Sequence, residues 1–176
     1  MSEWTYDPRK FRELILFIAE KSADDGYFAD THMNKVLYWS DALAIQYLGK
    51  PITGARYQKL EGGPGAVALV PARRAMAEAG EVEVKKVHKK TVTRAKRNAD
   101  PNMFTADERK LVEEVIARVG GRPAAAVSDE AHRLIPGWKM MEPKETVPLG
   151  AQMIDTTPVT AATRRRLGSA VAKYGL

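Results

Sequence analysis

Residues 33–64 read MNKVLYWSDALAIQYLGKPITGARYQKLEGGP, and no other part of the chain constrains the architecture as strongly. Apolar residues recur in the first half of this stretch at spacings of three and four, which is typical of a helix. The pattern predicts a helix from Thr31 to Leu48, with Thr31 as its N-cap and with Gly49 and Pro51 ending it. Because the helix is apolar on nearly every side, we expect it to be buried almost all round or to keep one face for a partner.

The residues after this helix predict a turn, one extended segment and a second chain break. The segment Ile52–Leu60 is rich in β-branched and aromatic side chains and is interrupted by Gly54, so we expect it to lead from a turn into a strand. Glu61–Gly65 is interpreted as a tight turn that sets the next helix against the previous one. A phosphate-binding loop is disfavoured here, because Pro64 removes an amide and no Lys-Ser or Lys-Thr pair follows.

Further helices are predicted on both sides of this stretch. Asp7 followed by Pro8 is typical of a helix start, and Thr105 with Glu108 forms a capping-box pattern. The predicted helices are Asp7–Lys21, Pro71–Ala79, Thr105–Gly120, Pro123–Pro136 and Thr160–Tyr174. Residues 82–93 predict a β-hairpin, and residues 137–157 predict irregular structure. The fold class is therefore mainly α (α+β), a compact helical domain of about five to six helices with a small β-hairpin.

The composition indicates one domain. A chain of 176 residues with 44% hydrophobic residues is long enough for one ordinary core. We expect residues 1–150 to form this domain and residues 151–176 to add a helical extension packed on it. The chain has no cysteine, which excludes disulfides, thiolate metal sites and a cysteine nucleophile. Since no segment has the ~18 to 20 apolar residues needed to cross a bilayer, we expect a cytoplasmic protein without a membrane partner.

The positive charge is concentrated in one segment. The chain carries 28 basic and 22 acidic residues, and residues 85–97 contain seven of the basic residues and none of the acidic ones. This segment is interpreted as a solvated face, a docking site for an acidic protein, or a nucleic-acid-binding site. It contains no aromatic residue on which a base could stack. If the segment nevertheless binds nucleic acid, the protein is a phage or plasmid regulator. We keep this as the alternative function, with candidate contacts at Lys85, Lys86, Lys89, Lys90 and Arg94.

Several short sequence motifs follow one another along the chain in an order that resembles that of a known family. They are NKVLY at Asn34–Tyr38, GKPITGARY at Gly49–Tyr57, Gly63-Pro64, FTADE at Phe104–Glu108, Ser128 with His132, and Trp138. Each motif is weakly informative alone, whereas the order of the motifs is specific. In this order they resemble the SocA-like antitoxin domain, also called the Panacea domain, of bacterial and phage toxin–antitoxin systems.

The resemblance implies a mostly helical antitoxin that holds a cognate protein toxin in an inactive complex. It implies no cofactor and no catalytic turnover, and the toxin is expected from an adjacent gene. Some members of the family are thought to deliver the toxin to a protease, so a protease is a second expected partner. The candidate partner-binding residues are Tyr38, Asp41, Tyr57, Gly63, Pro64, His132 and Trp138.

The pair Ser128 and His132 also raises a hydrolase hypothesis, because a histidine can activate a serine hydroxyl. No G-x-S-x-G elbow, glycine-rich oxyanion loop or third orienting residue accompanies the pair. We therefore expect no enzyme activity. The structural interpretation of His132 is a helix histidine bonded to a neighbour such as Ser128, one helical turn earlier. Because His32, His88 and His132 lack metal-ligand spacing, no metal site is expected.

Overall fold

The computed structural model describes residues 4–149 and shows a mainly α (α+β) domain, which confirms the predicted fold class. Its helices are α1 (Pro8–Lys21), α2 (Asp30–Leu48), α3 (Leu69–Glu78), α4 (Ala106–Val119) and α5 (Ala124–Leu134). Its strands are β1 (Tyr57–Leu60), β2 (Gly63–Ala66), β3 (Val82–Val87), β4 (Lys90–Ala95) and β5 (Thr146–Val147). The predicted helix at Thr160–Tyr174 and the extension at 151–176 lie outside the described residues, so they and the domain boundary stay predictions.

Helix α2 is the central element of the domain. It contacts α1, α4, α5, β2 and β4, and its buried side chains include Met33, Leu37 and Ala44. This position explains why the helix is apolar on nearly every side. Its last turn reaches the solvent, where Tyr47 is 69% exposed. Gly49 ends the helix with a φ of 78°, a left-handed conformation that glycine adopts without steric cost.

Two predicted N-caps are confirmed and one is wrong, and α3 begins at Leu69 instead of the predicted Pro71. Asp7 caps α1 by accepting hydrogen bonds from two backbone amides of the first turn, both at 3.0 Å. Thr105 begins α4 with the predicted capping box. Thr31, however, is not the N-cap of α2, because the helix already begins at Asp30. The imidazole of His32 accepts the Ala29 N–H at 3.4 Å instead.

The segment predicted as a tight turn, Glu61–Gly65, is the tip and second strand of a hairpin. Leu60 of β1 pairs with Gly63 of β2, so the turn is limited to the two residues between them. Strand β5 pairs with the other edge of β1 and gives the sheet order β2-β1-β5. The prediction of irregular structure for residues 137–157 is therefore wrong at Thr146–Val147.

The composition of β2 explains why it was missed. This strand reads GPGA, and glycine and proline are both depleted in strands. The small residues are needed because β2 lies directly against α2, where the side-chain oxygen of Asn34 accepts the Ala66 N–H at 3.0 Å. Glycine in a strand permits such close approach of two backbone segments.

The second sheet is the predicted β-hairpin, which is confirmed. Strands β3 and β4 pair in antiparallel register from Val82 opposite Ala95 to Val87 opposite Lys90. Its tip is formed by His88 and Lys89, and His88 has a φ of 54°.

Candidate partner-binding site

Three of the predicted site residues form a polar cluster inside the core. The Asp41 carboxylate accepts hydrogen bonds from the Thr53 N–H at 2.7 Å, the Thr53 hydroxyl at 2.6 Å and the Tyr57 hydroxyl at 2.9 Å. Tyr38 stacks edge-on against Tyr57, with ring centroids 5.2 Å apart. Burial raises the pKa of Asp41, and the hydrogen bonds from Thr53 and Tyr57 oppose this effect. The cluster ties α2 to the segment that leads into β1.

This burial changes the interpretation of Tyr38, Asp41 and Tyr57. Each of the three is at most 1% exposed. They therefore cannot touch a partner in this conformation, and the expectation of direct contact is corrected. What they do is hold the start of β1 at a defined distance from α2.

A buried lysine lies under the turn between β1 and β2. Lys35 is 1% exposed, and its ammonium group donates a hydrogen bond to the Gly62 carbonyl oxygen. Its Nζ and Cε occupy the space that a side chain on Gly63 would need. Burial lowers the pKa of Lys35 from 10.5 to about 8. The motif NKVLY contains this lysine, but nothing in the spacing of its residues indicates that the Lys35 side chain points into the domain.

The pKa of Lys35 predicts how stability depends on pH. Between pH 8 and 10.5 the Lys35 side chain binds its proton more tightly in the unfolded chain than in the folded one, so its contribution to the stability of the wild type rises with pH across this window. Lys35→Met has no such group. The quantity to compare is the unfolding free energy of Lys35→Met minus that of the wild type. We expect this difference to decrease by on the order of 3 kcal/mol as the pH rises from neutral to the ordinary lysine pKa.

Urea titrations of both proteins at several pH values measure this difference, and other titrating groups cancel in the subtraction. A difference that stays constant with pH would show that Lys35 keeps an ordinary pKa in the folded protein.

The remaining four predicted site residues come together at one corner of the domain. His132 stacks on Trp138, with ring centroids 4.9 Å apart and an interplanar angle of 15°. Gly63 and Pro64 belong to β2, which pairs with β1 beside these rings. Within residues 4–149 no hydrogen bond joins Ser128 and His132, so Ser128 is not the neighbour that holds His132; the ring of Trp138 packs on it instead.

Lys59 joins the two parts of this corner. Its ammonium group donates hydrogen bonds to the backbone oxygens of Trp138 at 2.9 Å and Met141 at 2.6 Å. The same group lies 5.3 Å from the centre of the Trp138 ring, within the range of a cation–π contact. Burial lowers the pKa of His132, as do the positive charges of Lys35 and Lys59. Strand β1 and the turn around Trp138 therefore form one rigid unit.

Two apolar side chains lie exposed beside this unit. Met140, in the same turn as Trp138, is 86% exposed, and Leu60, next to Lys59 in β1, is 39% exposed. Trp138 itself is 5% exposed, and the Leu60 side chain lies over Gly65 of β2. We name the set Lys59, Leu60, His132, Trp138 and Met140 the Trp138 corner. Sequence reasoning missed Lys59, Leu60 and Met140, because only the pairing of β1 and the turn of residues 138–140 bring them to this place.

The candidate nucleic-acid contacts lie elsewhere, on the β3–β4 hairpin. Lys85, Lys86, Lys89, Lys90 and Arg94 are all exposed there. Their assignment to nucleic acid stays a prediction. Within residues 4–149 no group of His, Asp and Glu side chains could hold a metal ion. None of the helices in the same range has the length and apolar character needed to span a bilayer.

Comparisons with known proteins identify the family. Curated proteins and solved structures give no match to the chain. A family model described as "Antitoxin SocA-like, Panacea domain" matches residues 33–139. The matched region begins in α2 and includes the buried Asp41 cluster, Lys35 and nearly all of the Trp138 corner. The chain therefore belongs to the SocA-like, Panacea-domain antitoxin family.

Proposed function

We propose that this protein is a cytoplasmic antitoxin that neutralises a cognate protein toxin by binding it directly through the Trp138 corner. The observation that carries the proposal is the family match over residues 33–139. The toxin is expected to be the product of an adjacent gene. Occlusion of the toxin requires a surface that is already formed and that has an apolar centre with a polar rim.

The contacts of the Trp138 corner support this choice of surface. Lys59 and the stacked His132 and Trp138 rings hold the corner without the help of a partner. Met140 and Leu60 supply exposed apolar atoms, and the Lys59 side chain supplies a partly exposed positive charge. A rigid support reduces the conformational entropy that binding would otherwise cost. A stable interface needs about 800 Å² from each partner, so the contact must extend beyond these five residues.

We also propose that the protein acts by binding and not by catalysis. His132 packs flat against Trp138, and Tyr57 and Asp41 satisfy one another in the core. The Asp41 and Tyr57 side chains therefore have structural partners, and the buried His132 Nε2 makes no hydrogen bond to Ser128 within the described residues. Ser128→Ala is accordingly expected to leave toxin neutralisation unchanged.

Substitutions at the corner test the proposed surface. Met140→Asp and Leu60→Asp are each expected to weaken toxin binding by about 2 kcal/mol, since each places a charge in the apolar centre of the interface. The measurement is titration calorimetry of the purified variants with the protein encoded beside this gene. Because both side chains are exposed, the melting temperatures should stay close to that of the wild type.

The matched control is Tyr47→Asp. Tyr47 is also an exposed apolar side chain, but it lies in the groove between α2 and α4, away from the corner. The Tyr47→Asp variant should bind the toxin as the wild type does. The proposed surface is wrong if Tyr47→Asp abolishes binding and the two corner variants do not. The proposed function is wrong if co-expression of this protein fails to rescue cells from the adjacent gene product.

The level of toxin in cells separates occlusion from delivery to a protease. We propose occlusion, in which the toxin accumulates in a complex with this protein. Loss of the toxin in cells with an active protease, and its persistence in cells without that protease, would show delivery instead.

A further inference from the structure

The outer edge of β3 carries backbone groups that are unpaired within the described part of the chain. The Lys96 N–H donates to the Glu81 oxygen at 2.8 Å, one residue pair beyond the register of the hairpin. Hydrogen-bonded pairs alternate along an antiparallel ladder, so Lys85 and Val87 direct their backbone groups towards β4. Val84 and Lys86 consequently direct their N–H and C=O groups away from it.

This edge is open between Val84 and the hairpin tip. In residues 4–149, β3 has β4 as its one strand neighbour. Val82, at the start of β3, is buried, whereas residues 84–90 are exposed. Both strands pack on helices, β3 on α3 and β4 on α1 and α2. The opposite edge is still less accessible, because residues 91–93 of β4 are only partly exposed and Thr93 accepts a hydrogen bond from Arg73 at 3.2 Å. Any added strand would therefore lie beside β3.

The charges along this edge select the strand that it could accept. Lys85, Lys86, Lys89 and Lys90 are exposed, and the single carboxylate of β3, Glu83, is paired with Lys85 at 3.1 Å. Lysines on a strand edge repel a second copy of the same basic strand. They attract an acidic strand for the same reason. Val84 and Val87, 39% and 47% exposed, offer apolar contacts between the charges.

We propose that the Val84–Val87 edge binds an extended acidic segment of a protein partner, which adds to the hairpin as a third strand. Each outward residue offers one N–H donor and one C=O acceptor, a pattern that matches another peptide backbone. A phosphate backbone accepts hydrogen bonds and donates none, so it would leave the Val84 and Lys86 carbonyls facing negative charge. This surface is separate from the Trp138 corner, and the proposal stands whether or not the corner binds a toxin.

The test uses an acetylated, amidated peptide of about eight alternating Glu and Val residues as the probe. Binding to the full chain is followed by NMR, through the shifts and hydrogen exchange of the Val84 and Lys86 amides. We expect both amides to become protected from exchange. A Lys and Val peptide of equal length, and the Glu and Val peptide methylated on alternate backbone nitrogens, should both fail to bind.

Two substitutions at one position separate backbone pairing from charge. Lys86→Thr removes the charge and keeps the outward N–H, whereas Lys86→Pro removes both and leaves the bonds between β3 and β4 intact. We expect Lys86→Pro to bind the acidic peptide about tenfold more weakly than Lys86→Thr, because it lacks one backbone hydrogen bond. The amide shifts of β4 and the melting temperature confirm that each variant keeps the hairpin.

Three results would overturn the proposal. The first is equal binding by Lys86→Pro and Lys86→Thr, which would mean that the peptide is held by charge alone. The second is binding of duplex DNA together with failure to bind the acidic peptide. The third is self-association of the wild type through this edge, detected by ultracentrifugation and abolished by Lys86→Pro.

Discussion

Replacing Asp41 by alanine is expected to lower the free energy of unfolding by about 3 to 5 kcal/mol, because each buried donor left without an acceptor costs about 1 to 3 kcal/mol. The substitution leaves the Thr53 N–H, the Thr53 hydroxyl and part of the Tyr57 hydroxyl bonding without an acceptor in a site that excludes water. Urea denaturation monitored by circular dichroism measures the loss. A chain of 176 residues with ordinary stability would be close to unfolding.

Two milder substitutions provide the scale for this effect. Tyr57→Phe removes one hydroxyl, which also donates to the Leu37 oxygen at 2.9 Å, and should cost about 1 to 2 kcal/mol. Asp41→Asn keeps one carbonyl oxygen and should lie between Tyr57→Phe and Asp41→Ala. If Asp41→Ala is no less stable than Tyr57→Phe, the cluster does not hold the core together.

Gly63→Ala is expected to cost about 4 kcal/mol, for two reasons that act together. Gly63 has a φ of 123°, a conformation that residues with a Cβ rarely adopt. The added methyl group would also occupy the position of the Lys35 ammonium group and separate it from the Gly62 oxygen. Thermal and urea unfolding of the purified variant measure the loss.

A double substitution distinguishes these two contributions. In a Lys35→Met background the side chain at position 35 is uncharged and flexible, so the methyl group of Gly63→Ala displaces no buried ammonium. We expect Gly63→Ala to cost at least about 1 kcal/mol less in that background, an interaction energy typical of residues in contact. Equal costs in both backgrounds would assign the whole effect to the backbone conformation. Gly26→Ala is the control, because a methyl group there would meet no other atom within 4 Å.

These two sites explain how the interior supports the surface. The Asp41 cluster places Thr53 and Tyr57 at the start of β1, and Lys35 holds the turn that connects β1 to β2. Lys59 lies between them and fixes the Trp138 turn. Substitutions at Asp41 or Gly63 should therefore weaken toxin binding through the loss of folded protein, whereas Met140→Asp should weaken it in a folded protein.

The sequence by itself determined the elements whose signals are local. The capping pattern at Thr105, Asp7 before α1 with Pro8 as its first residue, and the glycine after α2 depend on neighbours within one helical turn, and the structure confirms them. The apolar period of α2 left two possibilities, burial almost all round or one face kept for a partner, and the structure shows that most of the helix is buried. The order of the motifs from NKVLY to Trp138 was sufficient to recognise the family, because short motifs in a fixed order are specific even when each is weak.

Tertiary structure alone decided which polar residues are buried and which apolar residues are exposed. Lys35, Asp41 and Tyr57 lie in the core because partners distant in the chain satisfy them, and no pattern around each residue encodes those partners. Strand β2 was hidden for a related reason, since its glycines are used for contact with α2 and not for a turn. Met140 and Leu60 are exposed although nothing in their local sequence distinguishes them from apolar residues of the core. Long-range contacts thus fixed the surface, while short-range ones fixed the helices.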